Sequence, residues 1–284
     1  MSPHPLITRP RMTPPPLSCD THAHIFGPAA RYPFATNRDW TPPDRPVEAY
    51  AAMLDTLGMA RGIIVHSSSH GTDNSVTLDA IAQMDGRCKG IAVLAPDISD
   101  QELERLKAGG MCGVRISTML KSNMGIPHIG AMAGRFRDLG WQIQLHLDSA
   151  DEIIPLAPAL QRLTVPVVFD HIGRTRGGGG IEQAPFQTLL GLLRDCDHIW
   201  VKISSWYRLS DQGRPYDDMR ALAEKAMETR VERVLWGSNW PHPLLKGPPP
   251  DDGELLDQFQ RWAGDARKTI LVDNPTRLFG FAQE

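Results

Sequence analysis

The sequence predicts an α/β fold, a (β/α)8 barrel of the TIM type, and three observations predict it. Eight short apolar runs of strand character recur along the 284 residues. Segments with helical spacing lie between them. Polar side chains collect where the runs end. The length suits one such barrel.

The runs are, in order, LSCDTHAHIF (17–26), RGIIVHSSS (61–69), KGIAVLAP (89–96), CGVRIS (112–117), WQIQLHL (141–147), VPVVFDH (165–171), HIWVKIS (198–204) and RVLWGSN (233–239). Several are apolar on both faces, as parallel strands under helices are. PVEAYAAMLDTLGM (46–59) sets Val47, Tyr50, Met53, Leu54 and Leu57 at helical spacing. SDQELERLKAGG (99–110) opens on a Ser-Asp cap, with Glu in its first turn, and closes on Gly. DEIIPLAPALQRL (151–163) is apolar enough for a helix that Pro155 and Pro158 keep short or broken. APFQTLLGLLRDC (184–196) and DDMRALAEKAMETR (217–230) are further helices. A doubly wound sheet that binds a nucleotide carries a phosphate-binding glycine fingerprint after its first strand. Here His-Ala-His stands in that place, and GGGG (177–180) follows the sixth run as a flexible loop. Residues 1–16, rich in proline, read as an extended arm over the surface, and 17–284 as one barrel domain.

Lys and Arg number 30 against 33 acidic residues, a net charge of −3, so no basic excess points to nucleic acid. No run approaches the roughly 18 apolar residues of a membrane span, and the N-terminus has no apolar signal-peptide core. Cys19, Cys88, Cys112 and Cys196 are scattered without a CxxC pair, which argues against a zinc ribbon and fits a reducing compartment. The expectation is a soluble, cytoplasmic protein whose partner is a small molecule.

Chemistry in a barrel collects at the C-terminal ends of strands. Those ends carry His22 and His24, with Asp20 just before. They also carry His66, Ser67, Ser68 and His70; Arg115; His146 and Asp148; and Asp170, His171 and Arg174. The last two give Lys202, Ser204, Ser205 and Arg208, and then Asn239. His22 and His24, one residue apart, share a strand face. Two converging imidazoles can bind a divalent metal or polarise a carbonyl oxygen. A hydrogen-bonded structural pair is the plainer reading, and His146 and His171 at two other strand ends weigh against it. Arg115, Arg174 and Arg208 come from three ends. Arg is costly to bury unpaired, so the set points to an anionic ligand, carboxylate above all, unless Asp148, Asp170 or Asp211 pairs with it. Ser68, Trp40 and Lys121 are further ligand-contact candidates. His4 and His198 read as surface residues.

The motifs CDTHAHIFGP, IIVHSSSHGTDN, FDHIGR, VLWGSNWPHP and NPTRLFGF resemble the amidohydrolase superfamily, and within it the 2-pyrone-4,6-dicarboxylate lactonase-like branch. The resemblance runs from about Cys19 to Arg277. It implies an amidohydrolase-type barrel that opens or rearranges lactones. It also implies that His22, His24 and His171 polarise the ester carbonyl and that Arg115, Arg174 and Arg208 hold substrate carboxylates. The pyrone lactonase needs no metal, so none is required here. A single divalent ion such as zinc, if bound, would take His22, His24 and His146. Two departures stand out. His146 replaces a tyrosine of the lactonase, and Asn239 replaces the aspartate that activates water.

An amide has no useful basicity at neutral pH. The leading expectation is therefore a lactone hydrolase that uses another base, His171 or His146. The alternative is a lactone isomerase, in which a substrate hydroxyl attacks instead of water; a sugar-diacid lactone isomerase of the same branch carries Asn at this position. A third possibility is that Asn239 is an introduced change that silences a lactonase for ligand trapping. A catalytically silent binding barrel is the reading from another class. Arginines lying outside the histidine cavity would remove the case for a carboxylated substrate.

Overall fold

The computed structural model describes residues 6–120 and 124–283. Its strands are β1 (Cys19–Ala23), β2 (Arg61–Val65), β3 (Cys88–Ala92), β4 (Met111–Ser117), β5 (Gln142–His146), β6 (Val167–Phe169), β7 (Ile199–Ser204) and β8 (Val234–Gly237). They form one sheet in sequence order, and successive strands pair in parallel. The helices are α1 (Val47–Leu57), α2 (Ser75–Gln83), α3 (Asp100–Ala108), α4 (Ile129–Asp138), α5 (Ile153–Leu160), α6 (Ala184–Asp195), α7 (Asp217–Arg230), α8 (Asp252–Ala263) and α9 (Asn274–Phe279).

Strand parity sets the layering. Outward residues such as Ile64, Val114, Ile143, Val167, Val201 and Trp236 pack under the helices in one continuous core. Inward residues divide by height. Ile63, Val168, Trp200 and Leu235 fill the lower barrel, closed from below by Phe279 and Phe281. Above them the inward positions turn polar. The strands are thus apolar on both faces only in their lower halves, because the upper interior is the site.

The barrel closes without a full β8–β1 ladder. Asn239 N donates to His22 O at 2.8 Å, and His24 N to Trp240 O at 2.8 Å. Where a ladder bond is missing, the buried Asp20 carboxylate accepts from Ser238 N at 2.9 Å and Ser238 Oγ at 2.6 Å. Gly237 permits this approach, since a Cβ there would lie 2.5 Å from His22 Cβ.

Local signals are readable in the helices. Ser99 caps α3 by accepting from Glu102 N at 3.2 Å. α5 is short, preceded by a 3-10 turn over Ala150–Glu152, and Pro158 lies inside it. GGGG is partly ordered, with Gly177–Gly179 forming a 3-10 turn. The arm lies along α8: Arg11 N and Met12 N donate to the Asp257 carboxylate, both at 2.9 Å, and Thr8 N to Asp251 at 3.0 Å. Among the described residues no helix is long and apolar enough to cross a membrane.

Candidate active site

Four imidazoles meet at the upper end of the barrel. The ring centroids of His22 and His24 lie 5.0 Å apart, those of His22 and His171 4.8 Å, and those of His146 and His171 5.6 Å. Each ring is held through Nδ1. His24 faces Val65 O at 2.7 Å, His146 faces Ser117 Oγ at 3.0 Å, and His171 faces Ser204 Oγ at 2.7 Å. Lys202 Nζ reaches His22 Nδ1 at 3.1 Å.

Those partners fix one tautomer. A backbone carbonyl only accepts, so His24 donates from Nδ1 and keeps a lone pair on Nε2. His22 Nδ1 faces two groups of opposite kind, the Lys202 ammonium at 3.1 Å and the Asp170 carboxylate at 3.3 Å, so it serves either tautomer. Its Nε2 is buried without a partner.

Beneath the rings lies a fully buried charge cluster. Asp170 is 3.1 Å from Lys202 Nζ, 3.2 Å from Arg115 Nε and 3.3 Å from His22 Nδ1. Lys202 also donates to Gln144 Oε1 at 3.0 Å. Burial works against the Asp170 anion, but Lys202, His22 and Arg115 together hold its carboxyl well below the usual range.

His171 is delivered by strained backbone. His171, Ile172, Gly173 and Arg174 have φ of 54°, 52°, 60° and 64°. Left-handed residues normally occur singly, and a β-branched one costs on the order of 1–3 kcal/mol. The fully buried Ile172 side chain and the Ser204 bond to His171 hold the turn in place.

The cavity is narrow, ≈ 20 Å³, and its walls include His24, His146, His171, Arg115, Arg208 and Asn239. Trp40, Phe26, Pro243 and Leu244 form a neck shared with an outer basin of ≈ 440 Å³. Ser67, not Ser68, reaches the cavity wall, while Ser68 starts a 3-10 turn. Lys121 lies outside the described residues. Arg115 is paired with Asp170. Among the described residues Arg174 and Arg208 form no ion pair, and Asp211 pairs with Arg176 instead. Arg174 is not on the wall, and its Nε is buried without a partner. Burial, with Arg208 nearby, presses its pKa down. Outside the cavity, Asp73 accepts from Ser75 N at 3.0 Å just ahead of α2, whose N-cap residue is Asn74, and His66 holds Thr77 Oγ1 at 2.8 Å. His198 is half-buried on Leu160 O at 2.9 Å. Sequence reasoning did not single out Tyr207 or Asp252, which stand behind Asn239, or Leu120, which lines the cavity.

Burial makes the imidazoles hard to charge. It depresses His22 to about 4, although Asp170 pulls the other way, and His66 to about 3; His24, His146 and His171 are also pushed well down. The unfolded chain takes up these protons near the ordinary histidine value of 6.5, and the folded chain does not. Stability is therefore full above pH 6.5 and drains as pH falls toward 4, by up to roughly 1.4 kcal/mol per pH unit for each histidine. Urea unfolding between pH 7.5 and 5 is expected to show the midpoint falling through this window. A flat profile would mean the rings are solvated.

Imidazoles and unpaired guanidiniums at the C-terminal mouth of such a barrel define an enzyme of the hydrolytic α/β-barrel class. The chain belongs to the amidohydrolase family, whose model matches residues 19–281. It is 41% identical to a 4-sulfomuconolactone hydrolase of Rhizobium radiobacter, over 92% of this chain and 89% of that protein. It is 34% identical to a 2-pyrone-4,6-dicarboxylate hydrolase of Comamonas testosteroni, over 96% and 93%. A D-galactarolactone isomerase of Agrobacterium fabrum matches at 28%, over 96% and 94%. An apo crystal structure from Agrobacterium tumefaciens superposes with a TM-score of 0.87 at 28% identity, covering 96% of this chain and 99% of that one. A Burkholderia multivorans amidohydrolase with bound zinc shares the fold at TM-score 0.72 and 17% identity, over 94% and 100%.

The residues present fit a divalent ion poorly. Arg115 and Lys202 add two cations, and β8 ends in an amide. Among the described residues no three His, Cys, Asp or Glu side chains converge on a point where an ion could sit.

Proposed function

We propose that the protein is a lactone hydrolase acting on a small anionic lactone. The observation that carries this reading is that His24, His146 and His171 line one cavity with Arg115 and Arg208, with the lone pair of His24 held on Nε2. The lactone hydrolases it resembles at 41% and 34% identity support the same reaction. Arg208, on the cavity wall without a carboxylate partner, draws in and orients a carboxylate or sulfonate, with Arg115 beside it and the positive charge of Arg174 set back from the wall. His171, on the cavity wall, with His22 packed behind it, polarises the lactone carbonyl, and the charge grows on that oxygen as the tetrahedral intermediate forms. Water attacks the carbonyl carbon and loses a proton to a neutral imidazole. His24 has its lone pair fixed for this task. His146 and His171, whose Nδ1 atoms face hydroxyls, retain either tautomer. The ring C–O bond then breaks and the leaving oxygen takes the proton back, giving a hydroxy acid or its keto tautomer.

The isomerase reading keeps one specific support: Asn239 withholds basicity from the position facing the nucleophile, and a 28% relative is a lactone isomerase. Turnover in isotopic water separates the two. The hydrolase reading works without a metal. Protein purified without chelator is expected to carry well under one equivalent by elemental analysis; a full equivalent lost together with activity on chelation would overturn this. A cytoplasmic location goes with the four cysteines, which stand unpaired.

A further inference from the structure

Asn239 has a φ of 63°, a backbone that Asn and Asp both tolerate, so the turn alone does not select the amide. Its Nδ2 donates to Tyr207 OH at 3.0 Å and Ser205 Oγ at 3.2 Å. Its Oδ1 is buried with no partner, in a residue that lines the cavity. Behind it runs a second layer of polar groups. Tyr207 OH is 2.7 Å from His242 Nδ1, and His242 Nε2 is 3.3 Å from Asp252 Oδ1. Tyr207 follows β7, His242 follows β8, and Asp252 opens α8, so three elements meet in one chain. The side chains of His242 and Asp252 are fully buried.

The chain has a direction. An ionised carboxylate only accepts, so His242 donates to Asp252 from Nε2 and accepts at Nδ1. Tyr207 has one O–H, which goes to His242. The phenol oxygen is left with lone pairs, and these accept from Asn239 Nδ2. The opposite amide flip would set a carbonyl oxygen against those lone pairs, with the Ser205 hydroxyl as the one donor left to it. We propose that Asp252, His242 and Tyr207 are positioning residues that fix the Asn239 amide with Oδ1 toward the cavity. There Oδ1 accepts a hydrogen bond from the attacking hydroxyl and aims that oxygen's lone pair at the carbonyl carbon. The proton itself goes to the histidine base. The lactone-hydrolase reading supplies the identity of the nucleophile, and the proposal rests on it for that alone.

Two measurements test it. In 15N-labelled protein the Asn239 side-chain amide resonance, identified by its loss in Asn239→Asp, is expected to shift in Tyr207→Phe and in His242→Leu. It should hold its place in His242→Asn, which tolerates the left-handed turn (φ 63° here) and keeps an acceptor for Tyr207. A resonance that ignores Tyr207→Phe overturns the proposal, whether or not any lactone is turned over. In kinetics, Tyr207→Phe should lower kcat by about 10- to 100-fold with KM nearly unchanged, and His242→Asn should restore what His242→Leu loses. In the Asn239→Asp background the same Tyr207→Phe change should lose most of its effect, because a carboxylate has two equivalent oxygens and needs no flip control. An equal loss in both backgrounds, or no loss in either, would reduce the chain to packing. Absence of lactone opening by the parent protein would instead defeat the hydrolase reading and leave the resonance test standing.

Discussion

Replacing Asp170 by Asn is expected to cost the fold about 3–5 kcal/mol and to remove most activity. Asn is nearly isosteric, so packing is preserved and the charge is what changes. Asp170 lies within 3.1–3.3 Å of Lys202, Arg115 and His22, with none of its side chain exposed. Without the carboxylate, two buried cations face each other and nothing offsets their desolvation. Lys202 relieves this most readily by losing its proton. The two groups that hold His22 Nδ1, the Lys202 ammonium and the Asp170 carboxylate, then both change, so the ring's orientation is lost along with the stability. A companion variant tests the cause. Asp170→Asn combined with Lys202→Met removes opposite charges together and should recover part of the stability but not the activity. Urea unfolding gives both numbers. A loss below about 1 kcal/mol in the single variant would mean that water reaches the cluster.

The difference between what the sequence reveals and what it conceals lies in distance along the chain. Val167 beside Val168 and Trp236 beside Leu235 show no alternation, whereas Ile143 announces an outward strand face because it alternates with Gln142 and Gln144, and Ser99 announces α3 because its bond partner is three residues away. His22, His24, His146 and His171 are legible as strand-end residues for the same reason. The turn from His171 to Arg174 is not, since its left-handed run is held by Ser204 on another strand and by the buried packing of Ile172. Lys202 is visible at a strand end, yet its hold on His22 depends on reaching across the barrel to Gln144 and Asp170. Ser68 against Ser67 is a matter of one residue of parity at the end of β2, where a 3-10 turn begins and alternation ceases. Tyr207 and Asp252 carry no pattern in the chain, and His242 is visible only within the motif VLWGSNWPHP. They become a unit only because β7, β8 and α8 converge behind Asn239.

Turnover of an anionic lactone in 18O-water is expected to place one 18O in the new carboxylate of each opened acid. Label entry follows from water as nucleophile, whichever imidazole takes the proton. His24→Leu should then lower kcat by about 10²- to 10⁴-fold, the usual worth of a general base, with a much smaller effect on KM. The anion is held by guanidiniums that this change leaves in place. Asn239→Asp is expected to hydrolyse at least as fast as the parent, because it adds a carboxylate where the amide only aligns the hydroxyl. The isomerase reading predicts a different pair of results. The parent protein would exchange one lactone for another without label, and Asn239→Asp would divert it to labelled, ring-opened acid. The decisive outcome is therefore the label in the parent's own product. If it is missing while the ring rearranges, water is not the nucleophile, and Asn239 is there to keep a carboxylate base away from any water beside the lactone.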